Sequence, residues 1–333
     1  VYVTLNTLVN DREIAQAVES ARLASQLGAD GIIIQDLGLA YAIRQALPDI
    51  PLHASTQMSI HNLAGVEAAA EMGMTRAVLA RELSLEQIKF ITQHASIETE
   101  VFVHGALCFC QSGQCYMSAL IGRRSGNRGM CAQPCRMEYT MGGRLEDSHP
   151  LSLKDNCLVD RLREIEDAGV ACVKIEGRMK SAYYAAVTAN AYRMAIDNYA
   201  RDGEGYTFDP AWLRELESVS HREYSTGYFF TPPSSDPQLI GNVSMGYIRE
   251  KAYLAIAESY DAGSGTATFV QRNKLTRGDR VALISPGVPA REFIADAIYD
   301  ESGAELPSAP HPYMTFRLRV PFEVKRGDIL RGA

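Results

Sequence analysis

The sequence lacks the short signatures of several common chemistries. There is no Gly-x-Ser-x-Gly nucleophile elbow for a serine hydrolase and no His-Glu-x-x-His helix for a zinc protease. There is no Walker phosphate loop, and no Gly-x-Gly-x-x-Gly after a strand. From Val1 onward, where the sequence opens without Met, no signal peptide, long apolar span, amphipathic membrane anchor or low-complexity tract is read. So is an excess of basic charge. The net charge of −7 argues against a wholesale nucleic-acid binder, although a local basic patch can still do the binding.

The rest of the chain argues against a disulfide framework as well. Disulfides staple small secreted domains without a core, whereas this chain has 333 residues, 46% of them hydrophobic, and an odd count of 7 cysteines. A reducing, cytoplasmic location is expected, and there clustered cysteines point to metal or redox chemistry. Five of them, Cys108, Cys110, Cys115, Cys131 and Cys135, fall in one stretch from His104 to Tyr139, where Gly, Ser, Gln and Arg fill the gaps. That stretch reads as a loop, and Arg123, Arg124, Arg128 and Arg136 make it locally basic.

The natural ligand set is Cys108, Cys115, Cys131 and Cys135, spaced C-x6-C-x15-C-x3-C. Zinc usually takes two close pairs, and only the last pair here is close. An iron–sulfur cluster accepts such varied spacing. Spacing leaves iron–sulfur, zinc and buried inert thiols all open. A cysteine protease built on His104 with Cys108 or Cys110 is formally available, but the surrounding cysteines read as ligands rather than one activated thiolate.

Along the chain, strands and helices alternate. Strands begin near Val1, Gly31, Pro51, Arg76, Glu98 and Ala171. Helices are expected over Asp11–Leu27, Leu37–Leu47, Asn62–Met72, Leu85–His94, Asn156–Ala168 and Ala182–Ala200. The continuous apolar run GIIIQD suits a strand buried on both faces of a parallel sheet. The expected fold is α/β, a (β/α) TIM-like barrel over 1–205 with the cysteine-rich insertion at 106–150; a doubly wound sheet is the runner-up. A helical linker, with a short helix over Asp209–Ser218, is expected over 206–238, followed by a small antiparallel β-barrel accessory domain over 239–333.

In a (β/α) barrel, function collects at the C-terminal strand ends. These ends carry Asn6, Gln35, Asp36, His53, Ser55, Gln57, Arg81, Glu82, His104, Lys174, Glu176 and Arg178. Any one of these could simply be a strand-end side chain facing solvent, but every end is polar and one carries the cysteine cluster. Arg81, Lys174 and Arg178 could clamp carboxylates or phosphates.

The segments HGALC, SGQCYMS and NRGMCAQPCR, followed by LSLKDN and VKIEGRMKSAYY, resemble the collagenase-like family of peptidases of unknown catalytic type (family U32). HASTQ and LARELS match its earlier strand ends, and the likeness runs from Val1 to about Tyr199. The C-terminal part is similar to the family's small accessory domain. Members normally begin with a further strand–helix portion of the LLAPAG type, so the resemblance implies a barrel lacking its first repeat or two.

The resemblance implies a prephenate-dependent RNA hydroxylase acting on a pyrimidine, either the wobble uridine of tRNA or a cytidine of 23S rRNA. It also implies a 4Fe-4S cluster on Cys108, Cys115, Cys131 and Cys135, with His53, Glu82, His104 and Glu176 as catalytic candidates. Gln57 and the cations Arg81, Lys174 and Arg178 would bind substrate and the small anionic co-substrate, and Arg123, Arg124 and Arg128 the RNA backbone. For these last three a solvated basic loop is the plain alternative. A family paralogue is an expected hetero-partner, and no membrane partner is expected. The other readings are a collagenase-like peptidase and a non-catalytic iron–sulfur scaffold of a hydroxylase complex such as that of ubiquinone synthesis. Cys110 is an extra thiol without an assigned role.

Overall fold

The computed structural model describes residues 1–139, 149–231, 240–241, 247–248 and 251–333. Parts of the expected insertion (140–148), linker (232–238) and accessory domain (239, 242–246 and 249–250) lie outside these described residues. The protein is mixed α/β and forms two compact units, Val1–Glu176 with Arg222–Gly246, and Gly177–His221 with Tyr247–Ala333.

The first unit opens with four strand–helix repeats. β1 (Tyr2–Leu5), β2 (Gly31–Ile34), β3 (Leu52–Ala54) and β4 (Arg76–Val78) alternate with α1 (Asp11–Gln26), α2 (Leu37–Ala46), α3 (Leu63–Glu71) and α4 (Leu85–His94). Local chemistry sets the helix starts. Asn10 caps α1 in a reciprocal box with Glu13, Asp36 caps α2, Asn62 caps α3, and Ser84 pairs with Gln87 at α4, so donors the helix leaves orphaned are satisfied. All four residues of β2 are buried, as the apolar run requires.

The long strand β5 (Glu98–Ala106) follows, and then the cysteine segment with α5 (Met117–Gly122). β6 (Asp155–Cys157), α6 (Leu162–Asp167) and β7 (Cys172–Ile175) come next. β1 to β5 lie side by side in chain order, all parallel, and β7 joins β5 in parallel register. A doubly wound sheet would place later strands on the far side of β1, and this order does not. No ladder joins β1 to β7 among the described residues.

One expected helix begins late. Asn156–Ala168 is helical only in its second half, because Asp155–Cys157 pairs antiparallel with the end of β5. Its buried polar groups explain this: Asn156 donates to the Phe102 carbonyl, and Asp155 accepts from Arg222 through the backbone N–H and Nη1. Helical periodicity cannot compete with three such buried partners.

In the second unit, α7 (Ala182–Asp202) and α8 (Pro210–Glu217) are capped by Ser181 and Asp209. The short strand β8 (Tyr224–Ser225) belongs to the first unit and pairs with β6. The rest is an antiparallel sheet. Its main members are β9 (Tyr253–Asp261), β10 (Thr266–Gln271), β11 (Leu275–Thr276), β12 (Arg280–Ile284) and β13 (Arg291–Ile294), then β14 (Ile298–Tyr299), β15 (Glu305–Leu306), β16 (Ser308–Ala309), β17 (Thr315–Arg319) and β18 (Ile329–Gly332). The order is β13-β12-β18-β9-β10-β17-β14-β15, with β11 and β16 forming a separate pair. Alternate residues Ala267, Phe269, Phe316 and Leu318 fill its core, with Phe269 stacked on Phe316. No helix among the described residues is long and apolar enough to cross a membrane.

Candidate functional site

β5 delivers the chain into the cysteine loop, and two close approaches position the strand end and the loop. At Gly105, φ is +101° and a Cβ would overlap the carbonyl of Glu176, so only glycine lets β5 and the end of β7 run this close. At Gly113, φ is +76° and a Cβ would overlap the Gln57 carbonyl in the turn after β3. Side chains around Gly113 complete the latch. Ser112 donates its backbone N–H and its Oγ–H to the Glu82 carboxylate, Ser59 Oγ donates to the Ser112 carbonyl, and Gln114 Nε2 donates to Ser59 Oγ at 3.0 Å. His61 stands with Nε2 3.5 Å from Glu82 and Nδ1 2.7 Å from the Ser59 carbonyl.

Arg136 ties both ends of the loop. It donates through one nitrogen to the Leu107 carbonyl and through the other to the Leu153 carbonyl and Ser152 Oγ. Inside the loop, Ser118 Oγ donates to the Arg124 carbonyl and accepts from the Ala132 N–H, which ties α5 to the segment beside Cys131.

The five loop thiols share one neighbourhood. The charge of Cys108 responds to Cys115 and Cys131, that of Cys135 to Cys108, Cys131 and Cys115, and that of Cys110 to Cys115, Cys108 and Cys135. Burial pushes the Cys108 and Cys135 thiols up, the neighbouring thiols add to this, and the Arg81 and Arg136 cations respectively pull them back. Cys110 is pushed up to about 12, by burial first and then by its hydrogen bond with Cys115. Two sulfurs already receive backbone donors two residues on: Gln133 N–H to Cys131 Sγ at 3.3 Å, and the Cys110 backbone to Cys108. Among the described residues no group of three or more His, Cys, Asp or Glu closes around a single ion.

Arg81 stands beside these thiols. It donates to the Ala106 carbonyl at 3.3 Å and to Glu176 at 3.4 Å, and its guanidinium lies 4.0 Å from the Phe102 ring centre. The other expected cations lie elsewhere. Lys174 reaches the same ring at 5.5 Å but pairs with Glu100 at 2.8 Å. Glu100 is buried and also receives Arg76, which pairs in turn with Glu98. His53 belongs to this inner charged group near the strand starts. It is buried against the Tyr2 ring with no partner on Nδ1, and burial, with the Arg76 cation adding, pulls its pKa down. Arg178 belongs to the second unit.

His104 is buried with its ring 5.4 Å from Tyr224, and its carbonyl accepts from Glu176. Gln57 keeps a buried Oε1 without a partner. Arg123 and Arg124 are exposed at the end of α5, where Arg123 takes the left-handed cap conformation. Arg128 lies apart from them, paired with Glu13 of α1 at 2.6 Å. The site therefore brings Gln57, Arg81, Glu82, Glu176 and the thiols together at one set of strand ends. His53 and Lys174 belong instead to the charged group around Arg76 and Glu100. Ser112, Ser59, His61 and Arg136 are central members that sequence reasoning did not place. Only the Ser-Gly before Cys115 hinted at the tight turn that positions Ser112.

Comparison with known proteins gives a consistent picture. The model described as peptidase family U32 matches residues 1–238, and that of the peptidase family U32 C-terminal domain matches 249–331. The chain is 30% identical to a tRNA hydroxylation protein of Bacillus subtilis, over 99% of this chain and 81% of that protein. It is 36% identical to a 23S rRNA 5-hydroxycytidine synthase of Escherichia coli over 82% of this chain, and spans 44% of that longer protein. A protein of Porphyromonas gingivalis named collagenase is 29% identical over 86% of this chain and 72% of its own length.

Proposed function

The chain belongs to peptidase family U32, and from that premise we propose that it is an iron–sulfur RNA hydroxylase, working on a pyrimidine of tRNA or 23S rRNA with prephenate as co-substrate. Its parallel sheet then has the strand order of a (β/α) barrel, and its C-terminal strand ends form the active face.

The observation that carries this reading is the thiol group itself. Cys108, Cys115, Cys131 and Cys135 share one neighbourhood on a latched loop, and two of the sulfurs already receive N–H donors. Such donors stabilise thiolate and tune a cluster. Four thiolates on a 4Fe-4S cluster each bind a different iron, so they need no cage of single-ion size. When bound, the cluster supplies electron transfer.

The chain's own residues do the rest. Arg81 offers a guanidinium fork beside the thiols, with long hydrogen bonds of 3.3 and 3.4 Å and a buried Nε that has no partner, and is placed to take an anionic co-substrate. Glu82, held by two donors from Ser112 and flanked by His61, is placed to take or return a proton at the base. Arg123 and Arg124 lie exposed for the RNA backbone. A serine peptidase needs a hydroxyl bonded to an imidazole, whereas Ser112 donates straight to a carboxylate.

The test is iron and acid-labile sulfide per chain on anaerobically purified protein, for the native sequence and Cys115→Ala. It is followed by mass spectrometry of RNA treated with the native protein and prephenate. About four irons per chain, lost in the variant, together with a pyrimidine one oxygen heavier, is the expected result. Stoichiometric zinc, or a folded metal-free chain that cleaves peptides, would overturn it. A full cluster with no RNA product would transfer the chain to the scaffold reading.

A further inference from the structure

The second unit carries a groove that the hydroxylase reading does not use. It is a cavity of about 580 Å³, within the range of small-ligand sites, beside the start of α7 and the start of β9. Its walls alternate tyrosine with lysine. The Tyr183 and Tyr253 rings are stacked at 5.5 Å between centroids, with their planes 15° apart. Lys180 donates to the Ser220 carbonyl and places its ammonium 4.0 Å from the Tyr247 ring centre and 5.0 Å from that of Tyr184. Tyr247 is 44% exposed. Lys251 and Asn273 complete the lip, and Asn273 spends an amide N–H on the Tyr253 carbonyl at 2.6 Å, which leaves its oxygen to accept.

We infer that this groove binds a nucleotide of single-stranded RNA, with the base on the exposed Tyr247 ring and a phosphate at Lys251, while Tyr183 and Tyr184 are themselves buried in the wall. The inference rests on the RNA reading above and adds a second contact to it. Flat rings beside cations are what single-stranded nucleic acid requires, because every base has a π-face and every linkage a charge. Lys180 is already held by a carbonyl and two rings, so it lends the rings a fixed positive field, while Lys251 is the lysine placed to meet a phosphate. The Asn273 oxygen can take an N–H from a base edge. In a chain of net charge −7, such a local patch gives the second unit a docking point for RNA of its own.

The experiment is fluorescence anisotropy of a labelled oligouridylate with the full chain and with Tyr247→Ala, Tyr247→Phe and Lys251→Gln, at several salt concentrations. UMP serves as competitor, and thermal melting as the check on folding. Tyr247→Ala should bind roughly tenfold more weakly and Tyr247→Phe near the native level, as loss and retention of one base stack require. Lys251→Gln should lower the slope of log affinity against log salt by about one contact. Native binding that all three folded variants retain would overturn the groove and leave the hydroxylase standing. UMP competing as well as the oligomer would overturn it in favour of a mononucleotide site. No binding of oligouridylate or bulk tRNA by the native chain would remove both the groove and the RNA reading.

Discussion

The Arg136 guanidinium donates to the Leu107 carbonyl at the start of the cysteine loop and, through its other nitrogen, to the Leu153 carbonyl beyond it. One side chain therefore fixes both ends of a segment whose described residues carry little regular structure. Lysine keeps the charge but has no planar fork to span two sites. Arg136→Lys should loosen the loop without unfolding the sheet. Charged hydrogen bonds of this kind are worth about 1.5–3 kcal/mol. Alkylation of Cys135 by iodoacetamide in the metal-free protein should accelerate at least several-fold while the melting temperature barely moves. Unchanged alkylation would mean that the loop holds without its tie.

Gly113 tests the opposite side of the same loop. An alanine there meets the Gln57 carbonyl and a backbone with φ +76°, so the loop must lift away from the turn after β3. That shift would draw Ser112 from Glu82. Gly113→Ala should lose the cluster and the hydroxylated product together, with iron per chain as the readout. Gly278→Ala, where a Cβ meets nothing despite a similar φ of +89°, should cost some stability and leave iron unchanged.

The contrast between Arg136 and the expected clamp shows how much of the site the sequence made legible. Strand and helix starts are local properties, set by apolar runs and by caps such as Asn10 and Ser84, so the repeats could be read directly. Cysteine spacing is also local, and the loop stood out. Pairing is not local. Lys174 and Arg81 look alike at strand ends, yet Lys174 is taken by Glu100, 74 residues earlier in the chain, and Arg81 faces the thiols. The same reason hid Asp155–Cys157, whose strand state depends on Arg222, on Phe102 and on the end of β5.

The Asp155–Arg222 pair carries a stability prediction. The two side chains are 1% and 5% exposed, and Asp155 Oδ1 lies 3.0 Å from Arg222 Nη1. Removing Asp155 takes the ion-pair acceptor from a buried guanidinium, and breaking a buried pair of this kind costs about 3–5 kcal/mol. Asp155→Ala should lower the free energy of urea unfolding by that amount. Arg161→Ala, which breaks a half-exposed pair with Glu164, should cost under about 1 kcal/mol.

His53 should make stability depend on pH. Burial pulls its pKa below the ordinary 6.5, and the Arg76 cation adds to this. Above pH 6.5 the imidazole is neutral in both folded and unfolded chains and contributes no slope. As pH falls through 6.5, the unfolded chain binds a proton that the folded chain refuses, so stability drops until the folded value is reached. His53→Gln should flatten the fall in melting temperature between about pH 7 and 5 relative to the native protein. An identical fall in both proteins would move the titrating group elsewhere.

On the proposed cluster reading, the fifth thiol tests which four are the ligands. Cys110 lies against Cys115, and both sit among the other three, so proximity alone offers five candidates for four positions. The backbone distinguishes them. Cys108 and Cys131 each receive an N–H donor from two residues on, which places these sulfurs as acceptors before any metal arrives. For Cys108 that donor is the Cys110 N–H, so Cys110 serves the site through its backbone whatever its side chain does. Cys110→Ala keeps that N–H and should retain about four irons per chain, whereas Cys108→Ala, Cys115→Ala, Cys131→Ala and Cys135→Ala should each lose most of the iron and the visible absorption. Iron lost from Cys110→Ala and kept in Cys115→Ala would exchange the two thiols and leave the rest of the site as described.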